Sequence, residues 1–203
     1  MPRRPAGGQG DAHMIKWLLS AAAVLLAQPA LLAAQDCTVE RARYVLRVPD
    51  EEDQWQLAFI PARHMASPAS DLYLRLTTPQ RRYWFTLSVS QGYGGIAVLP
   101  VGEPVAGSDP RDLAGSDGPG QGIDPEILAT LRLLAFDREL HVANDPPRAG
   151  DPAPHAIMLP ELGQTLWYSP GALTEDPAAE RDPMPRGLFR LAGCGAAEAA
   201  VGE

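Results

Sequence analysis

The sequence predicts a mainly β protein, in which antiparallel hairpins form a single sheet or a two-layer sandwich with at most one or two short helices. Apolar and polar residues alternate along several short runs, a pattern typical of strands with one buried face. Turn-forming residues separate these runs, and 21 prolines among 203 residues leave room only for short elements. The length is that of one ordinary domain.

A secretory signal peptide is predicted within residues 1–35, with Met14 as the natural start. Lys16 supplies a positive charge, an apolar run extends from Trp17 to Ala27, and small residues follow at 33 and 34, where a signal peptidase could cut. The alternative is a membrane-spanning helix, but the apolar run has about eleven residues and a span needs about 20. We therefore expect a periplasmic or secreted protein with no membrane span after processing.

The charge of the mature chain disfavours one class of partner. Processing removes three of the 17 basic and one of the 25 acidic residues, so the net charge changes from −8 to about −10. Nucleic-acid binding is disfavoured because neutralising phosphates requires a basic surface. Every remaining basic residue is arginine. Arginine binds planar anions with a fixed fork, although a GC-rich genome would also produce this bias.

The two cysteines, Cys37 and Cys194, stand near the two ends of the mature chain. In an oxidising compartment such a pair predicts one disulfide, which would place the first and last strands side by side. A metal pair is disfavoured because neither CxxC nor a nearby histidine is present, and a reactive thiol because basic neighbours are missing. The charged Asp36 directly before Cys37 argues against a lipid anchor.

Four alternating runs predict two hairpins. The first pairs residues 41–48 with residues 54–60 across an acidic turn, and the second pairs residues 71–77 with residues 82–89. A turn centred on Pro79 and Gln80 defines the register of the second hairpin. Leu74 then meets Phe85 on the apolar face, and Arg75 meets Trp84 on the reverse face.

The middle of the chain predicts a further strand at Ile96–Val101 and then a long exposed loop over residues 102–122. Asp124 is a plausible helix cap because proline and glutamate follow it. Residues 125–135 have both helical and alternating spacing, so helix and strand both remain open. We expect a short helical turn followed by a strand.

The last third is dense in proline, and only brief elements fit between the prolines. Strands are predicted at residues 157–159 and 165–168, a helical turn at Pro170–Leu173, and a last strand at residues 187–192. Residues 195–203 contain only Ala, Gly, Glu and Val, so a disordered tail is predicted there. The folded domain is thus expected to cover residues 36–194.

No motif for catalysis, metals or cofactors has the required spacing. The glycines at residues 92–95 match neither phosphate-binding pattern. Asp109, Asp112 and Asp117 do not match a calcium loop, and no serine has the glycine frame of a hydrolase. The histidines at 64, 141 and 155 belong to no ligand motif. The sequence therefore predicts no metal and no cofactor.

One candidate binding face remains, on the reverse side of the two hairpins. It combines arginines with aromatic rings and includes Arg43, Arg47, Tyr73, Arg75, Arg82 and Trp84. A cation–π contact between the cross-strand partners Arg75 and Trp84 is expected. Such a face could bind an anionic or sugar ligand of the cell envelope. A competing interpretation is that the proline-rich last third folds over it.

The leading functional hypothesis is a non-catalytic, soluble binding or structural module of the bacterial periplasm or exterior. It rests on the signal peptide, the predicted disulfide and the missing catalytic motifs. The alternative is a small hydrolase whose site is assembled only in three dimensions, around His64 or His141. A pocket that joins a histidine to an acid and a serine would favour the hydrolase, whereas an open aromatic face would favour the binding module.

Overall fold

The computed structural model describes residues 37–49, 54–89, 95–115 and 123–202. They form nine strands, β1 (Ala42–Arg47), β2 (Gln54–Pro61), β3 (Leu72–Thr77), β4 (Arg82–Val89), β5 (Ile96–Val101), β6 (Arg132–Phe136), β7 (Val142–Ala143), β8 (Ala156–Met158) and β9 (Phe189–Cys194). Two α-helices are present in these ranges, α1 (Pro125–Thr130) and α2 (Leu162–Tyr168), together with 3-10 turns at Val39–Arg41 and Pro170–Leu173. The predicted signal peptide, the predicted acidic turn after residue 49 and the predicted turn at 91–94 lie outside the described residues, as do Asp117 and Glu203.

The sheet is antiparallel and closes on itself. Its strands follow the order β5-β4-β3-β2-β1-β9-β8-β6, and β6 pairs back with β5 through Arg132 and Leu133. The short β7 also pairs with β6, at Ala135 and Phe136, so β5 and β7 pair with successive parts of the same strand. A closed sheet of eight strands has an interior that side chains can fill. The predicted mainly β fold class is confirmed, as a single barrel-like sheet.

The interior is filled by the apolar side chains of the alternating runs. Its largest fully buried side chains include two tyrosines and three phenylalanines, Tyr44, Tyr83, Phe59, Phe85 and Phe189. Tyr44 and Phe59 meet edge to face with ring centroids 6.1 Å apart, a preferred geometry for aromatic pairs. Every second residue of β1 points into this core, which is why the period-two pattern predicts the strands correctly.

The register expected for the second hairpin is confirmed, as is the strand pairing expected for the first. Leu74 lies opposite Phe85, and Arg75 lies opposite Trp84, while β1 pairs with β2. The first and last strands also lie side by side, since β1 pairs with β9. Cys37 and Cys194 form the expected disulfide, with their Cα atoms 5.8 Å apart.

Residues 125–135, for which the sequence leaves both helix and strand open, form a helix that is followed by a strand. Asp124 caps α1, and its Oδ1 accepts a hydrogen bond of 2.8 Å from the backbone N–H of Glu126. Pro125 occupies the first turn, where its missing N–H costs nothing. Beyond the C-terminal residue Thr130, the chain enters β6, in which Leu133 and Ala135 are buried.

The prediction of a strand at residues 165–168 is wrong, because these residues belong to α2. Their aromatic and β-branched composition favours a strand, but the burial pattern has helical spacing. Leu162, Thr165 and Leu166 are buried, at positions i, i+3 and i+4. The helix therefore turns the next two residues, Trp167 and Tyr168, away from the core.

The structure also differs from the prediction of a disordered tail. Residues 195–202, the C-terminal segment, lie against the outside of the sheet. The N–H of Val201 donates to the carbonyl of Pro61 at 2.9 Å, and the N–H of Arg63 donates to the carbonyl of Val201 at 3.0 Å. Composition alone hides this order, because the apolar groups that the segment buries belong to the strands beneath it.

Among the described residues, no helix is long and apolar enough to cross a membrane.

Candidate functional site

The centre of the predicted binding face is buried beneath other residues. Tyr73 and Trp84 are buried, and the side chain of Arg75 is 17% exposed. Tyr73 and Trp84 form a second apolar cluster outside the closed sheet, together with Ile60 and Val101, and Val201 of the C-terminal segment packs against it. We call this surface, made of Ile60, Tyr73, Arg75, Trp84 and Val101, the covered face. The sequence leaves open whether this face is exposed, and the structure covers it with the C-terminal segment rather than with the proline-rich last third.

A charged contact joins the C-terminal segment to the covered face. The guanidinium of Arg75 donates two hydrogen bonds of 2.7 Å to the two carboxylate oxygens of Glu198. Such paired, charge-assisted bonds are among the stronger polar contacts in proteins. The hydrogen bonds from Arg75, followed by the positive charges of Arg75, Arg43 and Arg82, hold the pKa of Glu198 below its ordinary value despite partial burial.

The expected cation–π pair is present beneath the segment. The guanidinium carbon of Arg75 lies 5.5 Å from the centroid of the Trp84 ring. Tyr73 packs edge to face against the same ring at 6.5 Å. Two donors under the segment, Arg75 Nε and Trp84 Nε1, are buried and have no acceptor among the described residues.

The three other arginines of the predicted face lie around its edges. Arg82 pairs with Glu103 at 2.9 Å, and Arg43 lies 3.8 Å from Glu198. Both are half exposed, so these pairs contribute little to stability. Arg47 is exposed at the end of β1. The structure therefore does not assemble the six predicted residues into one open site.

A shallow groove between β1 and β9 holds Arg47 together with an arginine that the sequence did not indicate. Arg190 is the direct partner of Val45 on β9, and Arg47 lies two residues further along β1. Paired residues of adjacent strands point to the same face, so the two guanidinium groups flank Val45. The β1–β9 groove has a volume of about 370 Å³ and is also lined by Leu188, Leu191 and Ala192.

A second groove lies beside α2 and is lined by aromatic side chains. Trp167 is 39% exposed and Tyr168 is 73% exposed. The α2 groove has a volume of about 480 Å³, and Gln164, Pro183, Met184 and Arg186 complete its lining. Two consecutive exposed aromatic residues that line one groove are informative, because large apolar side chains are usually buried.

Local contacts hold the α2 groove in shape. Gly163 allows residues 183–186 to approach the helix, since a Cβ at this position would lie 2.7 Å from the carbonyl oxygen of Met184. The Arg181 guanidinium lies 5.1 Å from the centroid of the Trp167 ring. Arg186 pairs with Glu161 at 3.1 Å. The Trp167 ring is therefore supported, while Tyr168 stays open to a ligand.

The two grooves are connected by one short stretch of chain. Met184 and Arg186 line the α2 groove, and Leu188 and Arg190 line the β1–β9 groove. Gly187 between them packs against the interior side chain of Leu46, to which a Cβ would approach within 2.6 Å. Six residues of extended chain span at most about 20 Å, so the two grooves lie within that distance of each other.

A buried acid that the sequence did not indicate holds the last third to the second hairpin. Asp182 is fully buried, and its Oδ2 accepts hydrogen bonds from Thr78 Oγ1 at 2.6 Å and from the Tyr83 hydroxyl at 2.9 Å. Burial, and then the Asp182 carboxylate, raise the pKa of Tyr83 strongly. Because both hydroxyl groups donate to one carboxylate, this cluster is best understood as a structural anchor.

The histidines do not form a catalytic cluster in the described residues. His141 Nδ1 lies 3.1 Å from Asp137 Oδ2, but both side chains are exposed, and the bonds between these two residues close the turn between β6 and β7. Asp112 accepts from the N–H groups of Ala114 and Gly115 and so closes its own turn. No group of three or more His, Cys, Asp or Glu side chains in the described ranges could hold a metal ion.

Two different reasons explain why the sequence does not indicate these residues. The composition of residues 165–168 predicts a strand, whereas the helical spacing of Leu162, Thr165 and Leu166 is the signal that places Trp167 and Tyr168 outside the core. Arg190 stands alone in its sequence neighbourhood and becomes part of a site only because β9 pairs with β1.

Comparison with protein-family models, with curated proteins and with solved structures finds no match to this chain. The functional inference therefore depends on the geometry of the surfaces described above.

Proposed function

We propose that this chain is an exported, non-catalytic binding module that takes a carboxylate-bearing polysaccharide of the cell envelope. The observation that carries the proposal is the α2 groove, which is lined by two consecutive exposed aromatic residues, Trp167 and Tyr168. Export is supported by the predicted signal peptide and by the bond between Cys37 and Cys194, since such bonds persist in oxidising compartments.

The aromatic side chains fit a saccharide. A sugar ring has an apolar C–H face and a rim of hydroxyl groups, so it suits a surface that combines aromatic rings with a few polar groups. Tyr168 offers an open ring, and Gln164 and Arg186 supply donors at the edge of the same groove. Tyrosine, tryptophan and arginine are also the residues that carry most binding energy in protein recognition surfaces.

The arginines fit the acidic groups of the ligand. Arg47 and Arg190 flank the apolar floor of the β1–β9 groove, within about 20 Å of the α2 groove. A guanidinium binds a carboxylate through two parallel hydrogen bonds, which adds specificity as well as affinity. On a chain with a net charge of −8, this local basic surface attracts an acidic polymer only over short distances, because salt screens charges beyond about 8–10 Å.

Equilibrium binding to polygalacturonate, with neutral dextran as the comparison polymer, tests the proposal. We expect the mature protein to bind polygalacturonate and to bind dextran at least tenfold more weakly. The double variant Trp167→Ala, Tyr168→Ala should lose at least tenfold in affinity for polygalacturonate and remain folded, because both side chains project from the core. Leu140→Ala is the matched control, since Leu140 is a large apolar residue that is 61% exposed outside both grooves.

The arginine part of the proposal has its own variant. Arg47→Gln with Arg190→Gln should weaken polygalacturonate binding and flatten its dependence on salt, whereas Arg63→Gln, an exposed arginine outside both grooves, should have no effect. Equal affinities of the aromatic double variant and the Leu140→Ala control would reject the proposal, as would equal binding of both polymers.

A further inference from the structure

The C-terminal segment occupies the covered face much as a bound peptide would. Its backbone makes a parallel bridge at the end of β2, where Val201 exchanges hydrogen bonds with Pro61 and Arg63. Its one acidic side chain in the described residues, Glu198, receives both hydrogen bonds of the Arg75 guanidinium. Addition of an extended strand to an exposed backbone edge, with side-chain contacts for specificity, is a recurrent mode of peptide recognition.

The segment does not supply a hydrogen-bond acceptor for every buried donor of the covered face. Arg75 Nε and Trp84 Nε1 are buried beneath it and have no acceptor among the described residues, and Trp84 is only 5% exposed. A buried donor without an acceptor is costly. A ligand that brings additional carbonyl or carboxylate oxygens would therefore bind these donors better than the segment does.

The segment is also free to leave without disturbing the core. It begins after Cys194, so the disulfide and the nine strands of the sheet all precede it. The interior cluster contains no residue of the segment. Residues 196, 197, 199 and 200 are exposed, so the segment is held by the hydrogen bonds of Gly195 with Arg41 at its start and by the Glu198 contact, Val201 and Gly202 beyond them.

We propose that the covered face is a peptide-binding site that the C-terminal segment occupies in cis, and that an extended peptide of another protein, with an acidic residue and a glycine four positions later, binds there in its place. This inference is independent of the polysaccharide grooves. The acidic residue of the ligand replaces Glu198 on Arg75, and its backbone replaces that of Val201 beside Arg63.

Glycine is favoured at the end of the segment by its backbone conformation. Gly202 is buried and has φ +91°, which residues with a side chain rarely adopt. Residues 196, 197, 199 and 200 are exposed, so their side chains do not contact the covered face closely. A peptide that binds in the same way therefore needs an acidic residue and, four positions later, a glycine.

Occupation in cis makes the site self-regulated. A segment joined by a short linker has an effective concentration in the millimolar range, so a free peptide competes at a disadvantage. Any change that weakens the hydrogen bonds between Glu198 and Arg75 should then raise the affinity of the covered face for the external peptide. A rise in this affinity would identify a binding site that the segment blocks, whereas no rise would mean that the segment is a fixed part of the fold.

The test uses the full mature chain and a capped peptide with the sequence of residues 195–202. Its matched control is the same peptide with Glu198→Gln. We expect the acidic peptide to bind the chain variant Glu198→Gln about tenfold more tightly than the unmodified chain, and the control peptide to bind both at least tenfold more weakly. Arg75→Gln introduced into that variant should abolish the preference for the acidic peptide.

Amide exchange on the unmodified, isotope-labelled chain gives a second reading that needs no variant. At saturating peptide the N–H of Val201 should lose protection while the N–H of Arg63 stays protected, because the external backbone takes over its bond. Unchanged protection of Val201 at saturation would overturn the proposal. Equal affinities of the acidic and control peptides, or no binding to the Glu198→Gln chain, would overturn it as well.

Discussion

Arg75 and Trp84 are direct partners on neighbouring strands, and the guanidinium carbon lies 5.5 Å from the centroid of the indole ring. This pair lies on the covered face, where the sheet carries apolar side chains on its outer surface as well as on its inner surface. The C-terminal segment supplies the missing cover and the counter-charge.

Burial on both faces of β4 predicts that two adjacent aromatic residues are both needed for stability. Phe85 lies in the closed interior, and Trp84 lies beneath the C-terminal segment. Truncation of large buried rings costs about 3–5 kcal/mol, so Phe85→Ala and Trp84→Ala should each lower the free energy of unfolding by about 3 kcal/mol or more. Urea melts measure both. A loss of about 1 kcal/mol or less for Trp84→Ala would show that the outer face is open in solution.

Acid should loosen the C-terminal segment. Hydrogen bonds and positive charge from Arg75 lower the pKa of Glu198 in the attached state, so attachment is favoured while the carboxylate is ionised. The contribution is complete above the ordinary glutamate pKa of about 4.3 and is lost as the pH falls through the lowered value. Protection of the Val201 amide should therefore decrease at the acid end of this range.

The variant Glu198→Gln is the control for this pH effect. It lacks the titrating group, so protection of Val201 should be lower at neutral pH and should depend much less on pH. A steep acid dependence that persists in Glu198→Gln would assign the effect to another group.

The buried Asp182 predicts a large effect from a small change. Asp182→Ala removes the acceptor of the Tyr83 hydroxyl in the core, whereas the Thr78 hydroxyl can still donate to the carbonyl of Arg81 at 3.1 Å. An unsatisfied buried group costs about 1–3 kcal/mol, so we expect a loss of about 1–3 kcal/mol. Glu180→Ala, an exposed acid of the same last third, should change stability by no more than about 0.5 kcal/mol. Similar melts for both variants would contradict a structural role for Asp182.

Loss of the disulfide should destabilise the chain without changing its fold. The bond joins residues 157 positions apart, and removal of a native disulfide typically costs about 2–5 kcal/mol. The double variant Cys37→Ser, Cys194→Ser should therefore melt at a lower temperature. Its β-sheet circular dichroism should be unchanged below the transition. An unchanged melting temperature would mean that the β1–β9 pairing alone holds the two ends.

The strands and their registers could be predicted because local pattern and tertiary structure agree there. Leu74 and Phe85 are apolar, alternate correctly and are joined by a short turn, so few alternatives compete. Closure of the sheet could not be predicted in the same way. The contact between β5 and β6 joins Ile96 to Leu133 across a long loop, and no local property of either residue indicates it.

The surface sites depend on relationships that a single stretch of sequence does not contain. Trp84 alternates as an outward residue, and the sequence leaves open whether its face is exposed. Its burial depends in part on Val201, more than one hundred positions later, which packs against the same cluster. Trp167 and Tyr168 have a composition that favours a strand, and the burial of Leu166 one turn away places them outside instead. Tertiary contacts outweigh local preference at both sites.

The most direct test of the proposed function is a hydrogen-exchange footprint of the mature protein in the presence and absence of polygalacturonate. We expect protection at residues 163–168 and 183–191, which line the two grooves, and no change along the interior of β3 and β4. Protection confined to other surfaces, or no protection at a polymer concentration that saturates binding, would contradict the assignment of these grooves as the binding surface.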